Sequence, residues 1–131
     1  MNRFEINEAA GTVLDTYTGL TWQRAEPPQY MTWEEATQYA KELTLDGGGW
    51  RLPTVEELFL LVDRSLAHPA IDVVAFPTCP QSGTFWTSTL RVADQRPPSR
   101  MFWTVTTWEG IGSYSGDYNR YRVRCVRGSK A

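Results

Sequence analysis

Cysteine and histidine are scarce in this chain of 131 residues, which contains two cysteines and one histidine. A single cysteine pair is too few for a disulfide-built scaffold, and it leaves the redox compartment open. The CxxC, HExxH and EF-hand spacings are absent, so we expect no metal site. His68 belongs to no recognisable Cys–His or Ser–His–Asp arrangement. We therefore predict a protein that uses no cofactor and is not an enzyme.

Long apolar runs are also missing from the sequence. No segment approaches the roughly 20 apolar residues of a membrane-spanning helix, so we predict no membrane insertion. The N-terminal stretch MNRFEINEAAGTVLD lacks the apolar core of a secretion signal. Two locations stay open as alternatives: a cytoplasmic or phage-borne protein, or an extracellular or cell-surface protein whose signal was removed.

The composition that is present is that of a globular protein. Apolar residues make up 41% of the chain, and six of its residues are tryptophan. The length fits one domain, residues 1–131, which can bury a core without metal or several disulfides. We therefore expect a single folded unit.

Charge is distributed unevenly along the chain. Residues 1–85 carry 5 basic and 12 acidic side chains, a net charge of −7, whereas residues 86–131 carry 8 basic and 3 acidic, a net charge of +5. Such asymmetry marks a polyanion-binding face in some proteins. The alternative, which we favour, is that the two halves interleave in space and their charges mix.

Local patterns predict a hairpin followed by two helices. The hairpin has β-forming residues at 11–15, a turn at Thr18-Gly19 and a strand at Leu20–Trp22. Two capping boxes follow, each with a threonine and a glutamate that satisfy each other's backbone N–H groups. They are Thr32-Trp33-Glu34-Glu35, with an apolar stripe at Trp33, Ala36, Ala40 and Leu43, and Thr54-Val55-Glu56-Glu57, with a stripe at Val55, Leu58, Leu61 and Val62.

Three glycines, 47–49, are predicted to end the first helix. Residues 63–84 have little periodicity and are predicted to form a long ordered loop. Three runs then have strand character, Thr84–Thr89, Met101–Thr107 and Tyr121–Val126, separated by polar loops at Arg91–Arg100 and Glu109–Arg120. Short strands around two early helices indicate an α+β fold rather than a parallel βαβ fold.

Five sequence blocks occur in a fixed order along the chain. They are Val13-Leu14-Asp15 with Thr18-Gly19-Leu20-Thr21-Trp22, Thr32-Trp33-Glu34-Glu35-Ala36, Trp50-Arg51-Leu52-Pro53-Thr54 with Glu57-Leu58, Phe85-Trp86-Thr87-Ser88-Thr89, and Tyr121-Arg122-Val123-Arg124-Cys125-Val126-Arg127. Over nearly its whole length the chain thereby resembles the C-terminal domain of Legionella collagen-like adhesins, a family first described as a domain of unknown function. The RLPT helix start and the late strand are more loosely similar to the formylglycine-generating-enzyme group.

The resemblance implies a C-type-lectin-like fold with paired terminal strands, two helices, a long loop region and a small antiparallel sheet. Arg51 is expected to tie carbonyl groups or a carboxylate across the core of such a fold. Structural roles are expected for Trp22, Trp33, Trp50, Arg51, Trp86 and Arg124.

The two cysteines depart from the family pattern. Members of the family often carry a cysteine near position 40 that pairs with the one in the final strand, and this chain has Ala40 there. Cys79 is then an alternative disulfide partner for Cys125, and two free, buried thiols are the other alternative. The spacing of Cys79 and Cys125 is unlike that of the enzyme group's redox pair, so formylglycine chemistry is not expected.

Candidate ligand-binding residues lie in the two late polar loops. Tyrosine, serine, glycine and asparagine are typical of adaptable recognition surfaces, and arginines there suit sulfate or phosphate groups. The predicted contacts are Arg91, Arg96, Arg100, Trp108, Tyr114, Asp117, Tyr118, Asn119 and Arg120. The alternative is that Trp103 and Trp108 belong to the core and the remainder is solvated turn.

The leading functional hypothesis is a non-enzymatic, adhesion-type module that recognises a glycan or protein ligand and no nucleic acid. The resemblance implies glycans, including sulfated ones, although an isoelectric point near 5.4 argues against a simple heparin-type site. The alternatives are a hypervariable phage or retroelement-diversified receptor-binding domain and an enzyme-accessory domain. Relatives that follow collagen-like repeats also imply a homotrimer.

Overall fold

Nine regular helices and strands and one short 3-10 turn appear in the computed structural model, which describes residues 3–25, 27–62, 71, 75–76, 83–90, 101–107 and 110–128. Their bounds are β1 Phe4–Asn7, β2 Thr12–Asp15, β3 Leu20–Gln23, α1 Trp33–Glu42, α2 Val55–Leu61, β4 Thr84–Leu90, β5 Met101–Thr106, β6 Ile111–Gly116 and β7 Val126–Gly128, with the 3-10 turn at Leu45–Gly47. Two helices with two antiparallel sheets confirm the α+β class, and the C-type-lectin-like assignment stays a prediction. The predicted loop at 63–84 lies largely outside the described residues.

The first sheet, called the terminal sheet below, has the strand order β1-β2-β3-β7. The predicted hairpin is confirmed as β2 and β3, which place Val13 opposite Trp22. The last strand lies antiparallel to β3, with Leu20 opposite Gly128. Strands from the two ends of the chain therefore pair as expected, although the edge strand β1 was not predicted.

The second sheet, called the late sheet, has the order β4-β5-β6. Strands β4 and β5 confirm two of the predicted runs. The third run, Tyr121–Val126, is wrong in its bounds, because it contains only isolated bridges at Tyr121 and Arg122 before β7 begins at Val126. The prediction of a loop over 109–120 is also wrong, because Ile111–Gly116 forms the edge strand β6.

Both capping boxes are confirmed. In α1 the Thr32 hydroxyl accepts from the Glu35 N–H at 3.3 Å, and the Glu35 carboxylate accepts from the Thr32 N–H at 3.0 Å. In α2 the same two bonds join Thr54 and Glu57 at 3.2 and 2.9 Å. Helix α1 ends at Glu42, before the three glycines, because the next residue is already extended with φ −70° and ψ 119°.

Two clusters of buried side chains form the core. Helix α2 contributes Leu58 and Leu61 to the first cluster, between residues of both sheets. The second cluster lies beneath α1, where Trp33 stacks on Phe102 with ring centroids 4.0 Å apart. The tryptophans expected to be structural are all in these layers: Trp22, Trp50 and Trp86 are buried, and Trp33 is half-buried.

The two framework arginines expected to be structural make different contacts: Arg51 binds a nearby carboxylate, and Arg124 lies in the core. Arg51 donates two hydrogen bonds of 2.8 Å to the Glu57 carboxylate, which raises the pKa of Arg51. A carboxylate partner was one of the expected contacts, but Glu57 lies only six residues along the chain, in the first turn of α2, so the pair is local and does not cross the core. Arg124 is the core arginine: it is 1% exposed, and its Nη1 donates to the carbonyl oxygens of Gln23 and Arg24 at 2.8 and 2.7 Å.

Cys125 is a free, buried thiol in the structure. This state corresponds to the second of the two alternatives for the cysteines, and Cys79 lies outside the described residues. Burial raises the pKa of Cys125 to about 12, although the neighbouring Arg124 acts in the opposite direction. A thiol with so high a pKa holds almost no thiolate at neutral pH and is a poor nucleophile.

Candidate functional site

Five of the nine predicted ligand contacts lie in the part of the chain that the structure describes. These are Tyr114, Asp117, Tyr118, Asn119 and Arg120, which occupy β6 and the turn after it. The other four, Arg91, Arg96, Arg100 and Trp108, lie outside the described residues. The candidate site is therefore built from β5, β6 and the turn at 117–120.

An aromatic pair stands on one face of β5 and β6. Antiparallel pairing places Trp103 directly opposite Tyr114, and their rings meet edge to face with centroids 5.6 Å apart. Tyr114 is 43% exposed, and Trp103 is half-buried and belongs to neither core cluster. For Trp103, the alternative of a core position is therefore wrong, since its ring lies on the sheet surface beside Tyr114.

Tyr118 extends this face beyond the end of β6. A Cβ atom built on Gly116 would lie only 2.5 Å from the Tyr118 ring, so the ring covers Gly116. Residues 114 and 116 point to the same side of the strand, and Tyr118, 66% exposed, therefore lies on the side that carries Tyr114. Trp103, Tyr114 and Tyr118 together form the aromatic surface of the late sheet.

Helix α2 closes the other end of the same face. A Cβ atom built on Gly112 would lie 2.6 Å from Cζ of Phe59, so the α2 side chain rests directly on the β6 backbone there. At about 3.3 Å per residue, roughly 13 Å of strand separates Gly112 from Gly116. The aromatic surface thus lies between the edge of α2 and the turn that follows β6.

The predicted polar contacts hold that turn in place. The Asp117 carbonyl accepts from the Trp33 N–H at 3.3 Å, and the Asn119 amide donates to the Ser115 hydroxyl at 2.6 Å. Arg120 donates to the Glu35 carboxylate on α1 at 2.9 Å. These bonds position the turn against the start of α1 and thereby fix the base of Tyr118.

A cleft of about 470 Å³ lies beside the turn, along α1. Its lining includes Tyr30, Glu35, Tyr39, Glu42 and Arg120. The Thr32 backbone N–H, and then the charge of Arg120, hold the pKa of Glu35 below its usual value. Burial raises the pKa of Tyr39, whose hydroxyl accepts from Gln23 Nε2 at 2.7 Å, so the phenol is neutral.

Comparison with known protein families identifies the family to which the chain belongs. The family model of the Lcl C-terminal domain matches residues 11–127. The chain belongs to this family. A comparison with curated proteins finds no match. The matched range contains every strand from β2 to β6 and most of β7, so the aromatic surface lies within the Lcl C-terminal domain itself.

The two oppositely charged halves of this Lcl C-terminal domain interleave in the structure. Arg120 pairs with Glu35, and Arg127 pairs with Asp46, so two arginines of the second half meet carboxylates of the first. Arg124 is buried against backbone carbonyls. For the residues that the structure describes, the alternative of mixed charges is therefore confirmed.

The described ranges of the Lcl C-terminal domain contain neither a metal-ligand cluster nor a membrane-spanning helix. Within these ranges no group of three or more histidine, cysteine, aspartate or glutamate residues could hold a metal ion. No helix described there is long and apolar enough to cross a bilayer.

Sequence reasoning missed Trp103 as a member of the site. It lies in Met101–Thr107, a run that is apolar or threonine throughout, so strict alternation could not separate the two faces of β5. The signal that would have found it is its pairing with Tyr114, which requires the register of β5 with β6.

Proposed function

We propose that this Lcl C-terminal domain is a non-enzymatic recognition module of the adhesin type, with a C-type-lectin-like fold, that binds glycans on its aromatic surface. The observation that carries the proposal is the set of three aromatic side chains, Trp103, Tyr114 and Tyr118, gathered on one face of the late sheet along the central strand β5, the edge strand β6 and the turn after it. Membership of the Lcl C-terminal domain family supports the adhesin association.

Aromatic rings on a sheet face suit a saccharide chemically. The C–H groups on one side of a pyranose ring pack against an aromatic ring, and phenol hydroxyls exchange hydrogen bonds with sugar hydroxyls. Tyrosine and tryptophan provide such contact area at a low cost in conformational entropy. Each of the three residues has only two side-chain torsions to fix on binding.

The supports beneath the rings favour a preorganised surface. Trp103 and Tyr114 are held on adjacent, paired strands, and Tyr118 is seated on Gly116. The turn that carries Tyr118 is tied to α1 through Arg120 and Glu35. Trp103 and Tyr114, held on paired strands, therefore lose little freedom when a ligand binds, which strengthens binding for a given contact area.

The chemistry of the described side chains supports recognition rather than catalysis. Cys125 is buried, with a pKa of about 12, and is not poised as a nucleophile. The acidic pairs Glu34-Glu35 and Glu56-Glu57 lie in the first turns of α1 and α2, where Glu35 and Glu57 accept the capping-box hydrogen bonds. Their placement is accounted for by helix capping without a role as general acid or base.

A glycan array, run beside a panel of anionic polysaccharides, tests the proposal. We expect the wild-type protein to bind glycans on at least one of the two, and Tyr114→Ala and Tyr118→Ala each to weaken that binding roughly tenfold. Tyr17→Ala is the matched control, because Tyr17 is a 78% exposed tyrosine on the terminal-sheet hairpin.

Two results would count against the proposal. The absence of binding on both panels would exclude glycan recognition by this protein. Binding that is unchanged in both tyrosine variants, in protein shown to be folded by circular dichroism, would exclude the aromatic surface as the contact site.

A further inference from the structure

We infer that the aromatic surface selects uncharged saccharide chains over sulfated or otherwise anionic ones. The inference rests on the proposed function and names the ligand class of the same site. It depends on two observations, the composition of the late sheet and the pairing of the described arginines.

The late sheet has no charged residue in any of its strands. Strand β4 reads TFWTSTL, β5 reads MFWTVT and β6 reads IGSYSG. Strand alternation places Ser113 and Ser115 on the face opposite Tyr114, so the β6 hydroxyl on the aromatic side is that of Tyr114, which both donates and accepts hydrogen bonds. Hydroxyl groups match the hydroxyls of a neutral sugar, whereas a sulfate group is bound most strongly by cationic donors.

The arginine nearest along the chain to the aromatic surface is already paired. Arg120, in the turn after Tyr118, donates to Glu35 at 2.9 Å, and both side chains are more than half exposed. An anionic ligand would have to compete with the Glu35 carboxylate for this guanidinium. The Arg120–Glu35 ion pair therefore presents almost no net charge to a ligand bound on the late sheet.

Most other described arginines are occupied in the same way. Arg124 is buried against carbonyl oxygens, and Arg122 stacks over the Tyr30 ring at 5.3 Å. The remaining four pair with carboxylates: Arg3 with Asp15, Arg24 with Glu8, Arg51 with Glu57 and Arg127 with Asp46. The described part of the chain thus offers a polyanion no cluster of uncompensated guanidinium groups, while Tyr114 and Tyr118 are 43% and 66% exposed.

Measurement of binding to matched ligand pairs tests the inference. The strongest neutral glycan from the array is compared with its chemically sulfated form, and dextran is compared with dextran sulfate, across a range of sodium chloride concentrations. We expect sulfation to weaken binding at least fivefold and the affinity for the neutral form to change less than twofold with salt. Salt screens charge–charge attraction but leaves ring packing largely unaffected.

The variant Glu35→Gln sharpens the test. Glutamine retains the capping-box acceptor of α1, but it removes the negative charge that neutralises Arg120. We expect this variant to bind dextran sulfate at least threefold more strongly than wild type, measured as a ratio to its binding of the neutral glycan so that any shift of the turn affects both ligands alike. Unchanged retention of dextran sulfate would contradict the charge pairing on which the inference depends.

The outcomes separate this inference from the proposed function. Binding that is confined to sulfated ligands and falls steeply with salt would overturn the preference for neutral chains, while the glycan-binding function would stand. Absence of binding to every neutral and sulfated ligand would overturn both.

Discussion

The terminal sheet and the late sheet are both small and antiparallel, yet they are stabilised by different chemistry. Charged hydrogen bonds surround the terminal sheet: Arg3 holds Asp15 through two bonds, and Arg124 lies buried beside β3. The late sheet contains no charge and packs against the helices through its apolar side chains. Charged, directional hydrogen bonds hold the terminal sheet in place as a scaffold. The uncharged late sheet has one face available for contact with a ligand.

The comparison separates the sequence blocks that identify the family from the residues that we propose for recognition. The Trp50-to-Thr54 block and the closing segment around Arg124 lie in or beside the terminal sheet and the start of α2. The aromatic surface lies at the outer edge of the late sheet. Variants in the two regions are therefore expected to affect different properties, stability in the first and ligand binding in the second.

The largest expected effect on stability is that of Arg124→Ala. The change removes a buried cation and leaves the carbonyl oxygens of Gln23 and Arg24 without this donor. Because each charged hydrogen bond is worth about 1.5–3 kcal/mol, we expect a loss of at least about 3 kcal/mol. Urea denaturation measures the change in the free energy of unfolding.

Arg120→Ala is the control for Arg124→Ala. Its ion pair with Glu35 is exposed, so we expect a change in the free energy of unfolding below about 1 kcal/mol. Equal losses in the two variants would contradict the division into a charge-bonded scaffold and an exposed recognition edge.

Substitutions at the two glycines of β6, Gly112 and Gly116, are expected to have different effects. At Gly112 an added methyl group would collide with Phe59 of α2, so we expect Gly112→Ala to destabilise the protein by about 1–2 kcal/mol. At Gly116 the methyl group would meet the Tyr118 ring, which is exposed and can swing away. Gly116→Ala is therefore expected to cost less than about 0.5 kcal/mol but to weaken glycan binding by displacing that ring.

The readouts for this glycine pair are thermal unfolding and glycan binding, measured on the same samples. Full binding by Gly116→Ala would show that the position of Tyr118 is unimportant. A stable Gly112→Ala protein would show that Phe59 does not rest on the strand as described.

Substitutions in the two helix caps are expected to reduce stability by smaller amounts that are more similar to each other. Thr54→Ala and Thr32→Ala each remove one capping hydrogen bond, and we expect each to cost about 1 kcal/mol. Helix α2 packs into the core cluster that contains residues of both sheets, so the loss at Thr54 is expected to be the larger. Replacement of either threonine by serine is the control and should restore most of the stability.

The smallest expected effect is the pH dependence contributed by Glu35. The pKa of Glu35 is lowered in the folded protein, so its contribution to stability is present above its unfolded value near 4.5. That contribution is lost as pH falls through the lowered pKa. The difference in Tm between wild type and Glu35→Gln should therefore shrink on acidification from pH 7 to below about pH 4.

Glu34→Gln is the control for this titration, because Glu34 shares the first turn of α1 but does not take part in its capping box. A Tm difference between wild type and Glu35→Gln that stays constant across this range would exclude Glu35 as the titrating group.

Features with local causes could be predicted from the sequence, and features that depend on distant pairing could not. Each capping box lies within four consecutive residues, so Thr32 and Thr54 marked both helix starts. Strand β6 consists largely of glycine and serine, which are typical of turns, and it becomes a strand only through pairing with β5. Arg51 and Arg124 look alike in sequence, and only the packing of Phe76 and the β3 carbonyls decides which is buried.

The pairing of β3 with β7 has a consequence for the order of folding. Gln23 and Arg124 are 101 residues apart in sequence, so their contact closes a very long loop. Loops of this kind slow folding, because chain entropy is lost before the contact is gained. During synthesis, α1, α2 and the late sheet leave the ribosome before the final strand does. We expect nascent chains that stop short of residue 124 to remain sensitive to protease, and the addition of residues 124–128 to convert them to a resistant form.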